Sequence, residues 1–169
     1  MKNKFLSIVA TVGVLSSSSF AASSFFSVGY TMADVDGESK SGASFDYGLK
    51  FGETMKQTIG VGYSLLGSGA SSSSDSGNIG NIYYNLGYEA FKDTVFYGSI
   101  GYGFQSLGSS GAGSNRTTAM SAGMSYGAGL EYSLTERFMV EASYRRYNLS
   151  YLMLDYALTT ANVSLGYKF

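Results

Sequence analysis

The chain has 169 residues, the length of one domain, with 23 glycines, 15% aromatic and 14% charged residues, and no proline, cysteine, tryptophan or histidine. Without histidine there is no Ser-His-Asp triad, imidazole base or imidazole metal ligand; without cysteine there is no thiolate nucleophile, zinc cluster, disulfide or lipid-anchored N-terminal cysteine. Eleven basic residues against twelve acidic ones, with no basic stripe, argue against a nucleic-acid partner.

The N-terminus has the form of a cleavable secretory signal. Lys2 and Lys4 supply the positive region, and Phe5 to Leu15 form an apolar stretch too short to span a bilayer. Ser19 and Ala21 place small residues at −3 and −1, so cleavage is expected after Ala21, leaving residues 22–169 as one domain. Losing Lys2 and Lys4 leaves nine bases against twelve acids, a net charge of −3.

Beyond the signal, apolar residues recur with a period of two, as in strands with one apolar face. The first candidate strand is Phe26 to Met32. In the second, Phe45, Tyr47, Leu49 and Phe51 alternate with Ser44, Asp46, Gly48 and Lys50. The third carries Ile59, Val61, Tyr63 and Leu65, and the fourth runs from Ile82 to Glu89. The fifth, Phe96 to Phe104, is irregular: Val95 and Tyr97 lie on the opposite parity from Phe96 and Ile100, and a bulge would reconcile them. The sixth, Met120 to Tyr132, alternates throughout; the seventh is Phe138 to Arg146 and the eighth Ala161 to Phe169.

The gaps alternate in length. Asp34 to Gly42, Gly67 to Asn78 and Gln105 to Thr118 are long; Glu53 to Lys56, Ala90 to Asp93 and Leu134 to Glu136 are tight; Tyr147 to Asp155 is intermediate. Short turns on one side, longer loops on the other and an even strand count predict an all-β fold, an eight-stranded antiparallel up-and-down transmembrane β-barrel. Both termini then lie on the short-turn, periplasmic side, and the barrel must close because an open edge in lipid leaves backbone groups unpaired. A soluble lipocalin-like barrel would turn its apolar face inward. The Gly/Ser/Thr-rich polar face and the recurrence of Tyr near strand ends favour apolar-out, and so a bacterial outer-membrane location.

Three segments carry a family resemblance. Gly127 to Arg137 (GAGLEYSLTER) resembles the sixth strand and following turn of OmpA-type transmembrane domains, and Glu141 to Tyr147 (EASYRRY) resembles the seventh strand. Leu165 to Phe169 (LGYKF) resembles the aromatic C-terminal signal read by the barrel-assembly machinery, with Val163, Leu165, Tyr167 and Phe169 as its apolar positions. The resemblance implies an OmpA/OmpX-type barrel without the peptidoglycan-binding domain of longer relatives. Its implied partners are outer-membrane lipid and lipopolysaccharide, with periplasmic chaperones and the assembly machinery during biogenesis. The barrel is expected to be a monomer and to need no cofactor.

The charges expected on the lumen face are Asp46, Lys50, Glu89, Glu131, Glu141, Arg145 and Lys168. Glu141 and Arg145 match the family's ion-pair pattern best, and they lie too far apart along one strand to touch. The set reads either as a gate on a narrow pore or as a network filling a closed lumen, because buried charge must be paired and eight strands enclose just enough room for side chains. Leu149, Tyr151, Leu152, Met153 and Leu154 are unusually apolar for a loop. They read either as a contact site for a host or partner surface or as part of the outer girdle. The Gly/Ser loops Gly67 to Gly77 and Gly108 to Ser114 offer little to bind by. The expected role is a structural, envelope-integrity protein with weak small-solute pore activity; the alternative is a surface adhesin acting through its loops. Barrel enzymes depend on a histidine that this chain lacks.

Overall fold

The computed structural model describes residues 23–35, 37–52, 55–67, 77–108, 118–151 and 154–169. The signal segment with its cleavage after Ala21, most of the two Gly/Ser loops, and Leu152 and Met153 lie outside the described residues.

Eight strands follow in order: β1 (Ser23–Val35), β2 (Glu38–Phe51), β3 (Met55–Leu66), β4 (Gly77–Phe91), β5 (Thr94–Gly108), β6 (Thr118–Ser133), β7 (Phe138–Tyr151) and β8 (Leu154–Lys168). Each pairs antiparallel with its neighbour, and β8 pairs with β1 to close the barrel. The seam runs from Phe25 opposite Lys168 to Val35 opposite Leu158, and the Phe169 amide donates to the Ser24 carbonyl at 2.8 Å.

The period-two pattern decides the faces. Phe26, Val28, Tyr30 and Met32 on β1, Ile82 and Leu86 on β4, and Val163 and Leu165 on β8 all face outward and are exposed. The opposite parity is buried and small or polar: Ser27 and Thr31, Asn81 and Asn85, Thr160 and Ser164. Apolar-out is the inverse of a soluble barrel and suits lipid on the outside.

Three features of the strands differ from the sequence expectation. The first and last outer connections are short, because β1 and β2 reach Val35 and Glu38, and β7 and β8 reach Tyr151 and Leu154. At about 3.3 Å per residue and a tilt of about 40°, a strand of about 15 residues spans roughly 38 Å, so its outer end projects past an apolar band of roughly 25 Å. Polar residues such as Ser39 and Ser41 are then compatible with continued pairing. No bulge occurs around Val95 to Ile100: β5 pairs with β6 in unbroken register, and Tyr97 points into the lumen. The register shift lies instead between Glu89 and Phe91, beside the tight β4–β5 turn.

Missing side chains make room for large ones across the inner face. A Cβ on Gly60 would lie 2.5 Å from Tyr83 Cζ, and one on Gly129 would collide with the Tyr97 ring. The glycine richness of the polar face is therefore steric: a narrow barrel holds tyrosine rings only where the facing strand is bare.

Candidate functional site

Among the described residues, the lumen gathers buried charge, and it is built in layers. At the short-turn end, Glu131 of β6 receives Lys50 of β2 in an ion pair on one oxygen and Lys168 of β8, at 3.3 Å, on the other. Lys168 also donates to Ser133 Oγ at 2.7 Å, and Lys50 stands 4.6 Å from the centre of the Phe25 ring. Glu141 lies directly opposite Glu131 across β6–β7, and the Tyr97 hydroxyl donates to its carboxylate. Two acids paired across strands repel; here two ammonium groups and a phenol offset that repulsion. Above the turns the layer opens into a cavity of about 290 Å³ with Lys56 and Glu89 at its rim, paired at 3.4 Å and both over a third exposed.

The middle layer is dense. Arg145 of β7 lies 4.5 Å from the centre of the Tyr83 ring and donates to Ser99 Oγ at 3.2 Å. Asp46, Glu141 and Arg145 share the lining of a void of only about 20 Å³, and Ser44 donates to Asn162 Oδ1 at 2.6 Å beside it. That volume is of the order that admits one water molecule.

The outermost layer is apolar. Leu149, Leu158, Tyr147, Ile79, Leu66 and Ala33 form a cluster of inward-facing side chains, each at most 4% exposed. Tyr156 packs against it, and its hydroxyl bonds both Ser121 Oγ and, at 2.9 Å, Gln105 Oε1.

The seven charges expected in the lumen therefore occupy distinct levels. Glu131 gathers Lys50 and Lys168; Asp46 and Arg145 lie deeper; Glu141 is held by Tyr97; Glu89 is at the mouth. Among the described residues Glu141 and Arg145 form no ion pair with each other. Leu149 corrects the loop reading: it sits within β7 and is fully buried in the lumen, neither a surface contact nor part of the girdle. Its parity matches Arg145 and Tyr147, which turns it inward. Tyr151 and Leu154 are paired strand residues. Of the C-terminal positions, Val163, Leu165 and Phe169 are exposed, while Tyr167 stacks edge-on between Phe138 and Phe169 with centroids 5.2 Å apart.

The tyrosines are what sequence reasoning missed. Tyr83 and Tyr97 occupy the polar parity of β4 and β5, and that displacement was the available signal. Among the described residues, no group of three or more His, Cys, Asp or Glu is arranged to hold a metal ion.

A closed antiparallel barrel with an apolar exterior and a charged, packed interior defines the class of outer-membrane β-barrels. The chain belongs to the outer membrane protein beta-barrel domain family, whose model matches residues 7–169. Its place is the bacterial outer membrane. It is similar in fold to Ail, the attachment invasion locus protein of Yersinia pestis, solved with the heparin analogue sucrose octasulfate. The two share 20% identity at a TM-score of 0.65, over 88% of this chain and 99% of that one. Neisserial surface protein A is similar at 12% identity and a TM-score of 0.61, over 87% and 95%. The N-terminal barrel of Pseudomonas aeruginosa OprF is similar at 16% identity and a TM-score of 0.52, over 86% and 97%. None of the curated proteins matches the chain.

Proposed function

We propose that this protein is a structural component of the outer membrane, a monomeric barrel that reinforces the envelope and passes no solute. The observation that carries the reading is the apolar plug of Leu149, Leu158, Ile79 and Leu66 at the outer end of the lumen. Hydrated ions do not cross a close-packed apolar layer, and the middle layer below it leaves room for about one water. The lumen charges then act as a network that holds strands together. An ion-pair gate gains little support, since Glu141 and Arg145 bind different aromatic partners.

A role like that of Ail, solved with a polyanionic heparin analogue, is disfavoured by charge. Among the described residues, the strand ends on the long-loop side carry Asp34, Glu38 and Asp155 against Lys40 and Arg146. A strain lacking the protein is expected to become sensitive to detergents and bulky antibiotics, and to recover on complementation. An intact envelope together with lost binding to host cells would replace this reading with the adhesin one. Val163, Leu165, Tyr167 and Phe169 serve, in the same proposal, as the signal for the assembly machinery. Phe169→Ala is then expected to lower the yield in the outer membrane while refolding in detergent is unchanged; undiminished yield in cells would remove that role.

A further inference from the structure

The cavity at the short-turn end is polarised in a way that a purely structural barrel does not require. Its lining carries three ammonium groups, Lys50, Lys56 and Lys168, against the carboxyls of Glu89, Asp93, Glu131 and Glu141. Neither sign dominates, which argues against a purely anionic or purely cationic occupant, but the two signs are unevenly spread. Lys50 of β2 and Lys168 of β8 flank β1, in register with Ser23 and Phe25. They share the single carboxylate of Glu131, so that corner keeps one net positive charge, and their side chains remain 15% and 19% exposed. The β4–β5 edge lies across the closed ring from β1. There Glu89 and Asp93 meet one ammonium, Lys56, which leaves one net negative charge.

Both edges have bonding capacity to spare. An ammonium has three N–H donors. Lys168 uses two, on Glu131 and Ser133, and Lys50 uses two, on Glu131 and Met139 Sδ, so each retains one. On the acidic edge Asp93 is held at φ 64°; its N–H donates to Glu89 Oε1 at 3.4 Å, and its carbonyl accepts from the Ser133 N–H at 2.8 Å. Glycine would take that backbone without strain, yet the position keeps a carboxyl on the cavity wall. Further into the barrel on β4, Asn85 is buried in the same wall, and its amide oxygen has no hydrogen-bond partner among the described residues. A buried acceptor in that state calls for a donor. Phe25 and Val95 add apolar surface, and the volume of about 290 Å³ matches the small end of ligand pockets, roughly 300 Å³.

We infer that the mouth is a binding site for a small zwitterion arriving from the periplasmic side, an amino acid or a dipeptide with free ends. Its carboxylate takes the spare donors of Lys50 and Lys168, and its ammonium takes Glu89 and Asp93. With a small turn of its amide, Asn85 Oδ1 accepts from an N–H of the ligand. The site stands whether or not the lumen conducts, because binding at the mouth is an equilibrium property.

The test uses the full barrel, refolded in detergent micelles and checked by heat-modifiable gel migration. Three probes are titrated by calorimetry: alanyl-alanine, its N-acetyl form, which lacks the ammonium, and its C-terminal amide, which lacks the carboxylate. Alanyl-alanine is expected to bind saturably, and blocking either end to weaken it about tenfold, the scale of a lost charge-assisted hydrogen bond. The double variant Glu89→Gln, Asp93→Asn is expected to bind the free and acetylated dipeptides equally while still discriminating against the amide. Lys168→Gln should show the reverse, a pattern that a merely structural role would not produce. Should Lys168→Gln fail to fold, the Glu89 and Asp93 variant decides alone. No saturable binding of alanyl-alanine at tens of millimolar would overturn the site. Wild-type binding of the acetylated form as tight as that of the free dipeptide would overturn the zwitterion in favour of an anion, and equally tight binding of the amide would do so in favour of a cation.

Discussion

Glu131 faces two ammonium groups, so neutralising it leaves Lys50 and Lys168 repelling each other in a confined space. Glu131→Gln is expected to cost about 2–3 kcal/mol, the scale of a lost hydrogen bond to a charged group. A fall in the urea midpoint of the barrel in lipid vesicles checks it, and an unchanged midpoint would mean that the pairs contribute nothing. At this scale the sequence was legible wherever parity was unambiguous: Asp46, Lys50, Glu131 and Lys168 alternate cleanly with apolar neighbours. It was not legible for Tyr83 and Tyr97. A tyrosine is equally at home in a lipid girdle and in a packed lumen, and the choice between them depends on a bare glycine on an adjacent strand. That glycine is adjacent only through the register.

Strands owe their length to pairing and their turns to backbone conformation. Gly60 is bare because Tyr83 lies over it, so Gly60→Ala is expected to destabilise the barrel by about 1–3 kcal/mol through overpacking, measured as a fall in urea midpoint. The β4–β5 turn holds Asp93 at φ 64°, in the left-handed region where a side chain is strained. Asp93→Gly is expected to raise stability by up to about 1 kcal/mol, and a loss would show that the side chain anchors the turn. Eight strands were countable from alternation, but their outer ends were not. Asp34 to Gly42 reads as loop because it is polar, yet polar strand residues are compatible with water above the bilayer. Leu149 reads as loop because it follows Asn148 in an apolar cluster; only extension of β7 shows that its parity aims it inward.

On the scale of the whole molecule, the barrel places lipid outside, a mouth of about 290 Å³ at the short-turn end, and a packed apolar cap at the other. The class was legible because alternation, turn asymmetry and an aromatic terminus all point the same way. The plug was not, since its members come from β1, β3, β4, β7 and β8 and meet only once the barrel closes. Closure to solutes is the central claim, and single-channel recording of the refolded protein in planar bilayers tests it most directly. The wild type is expected to give no conductance steps above the bare membrane. The triple variant Leu149→Ala, Leu158→Ala, Arg145→Ala, with cap and middle layer both thinned, is expected to give them. Reproducible ion-selective steps from the wild type, altered by Glu141→Ala or Arg145→Ala, would contradict the account.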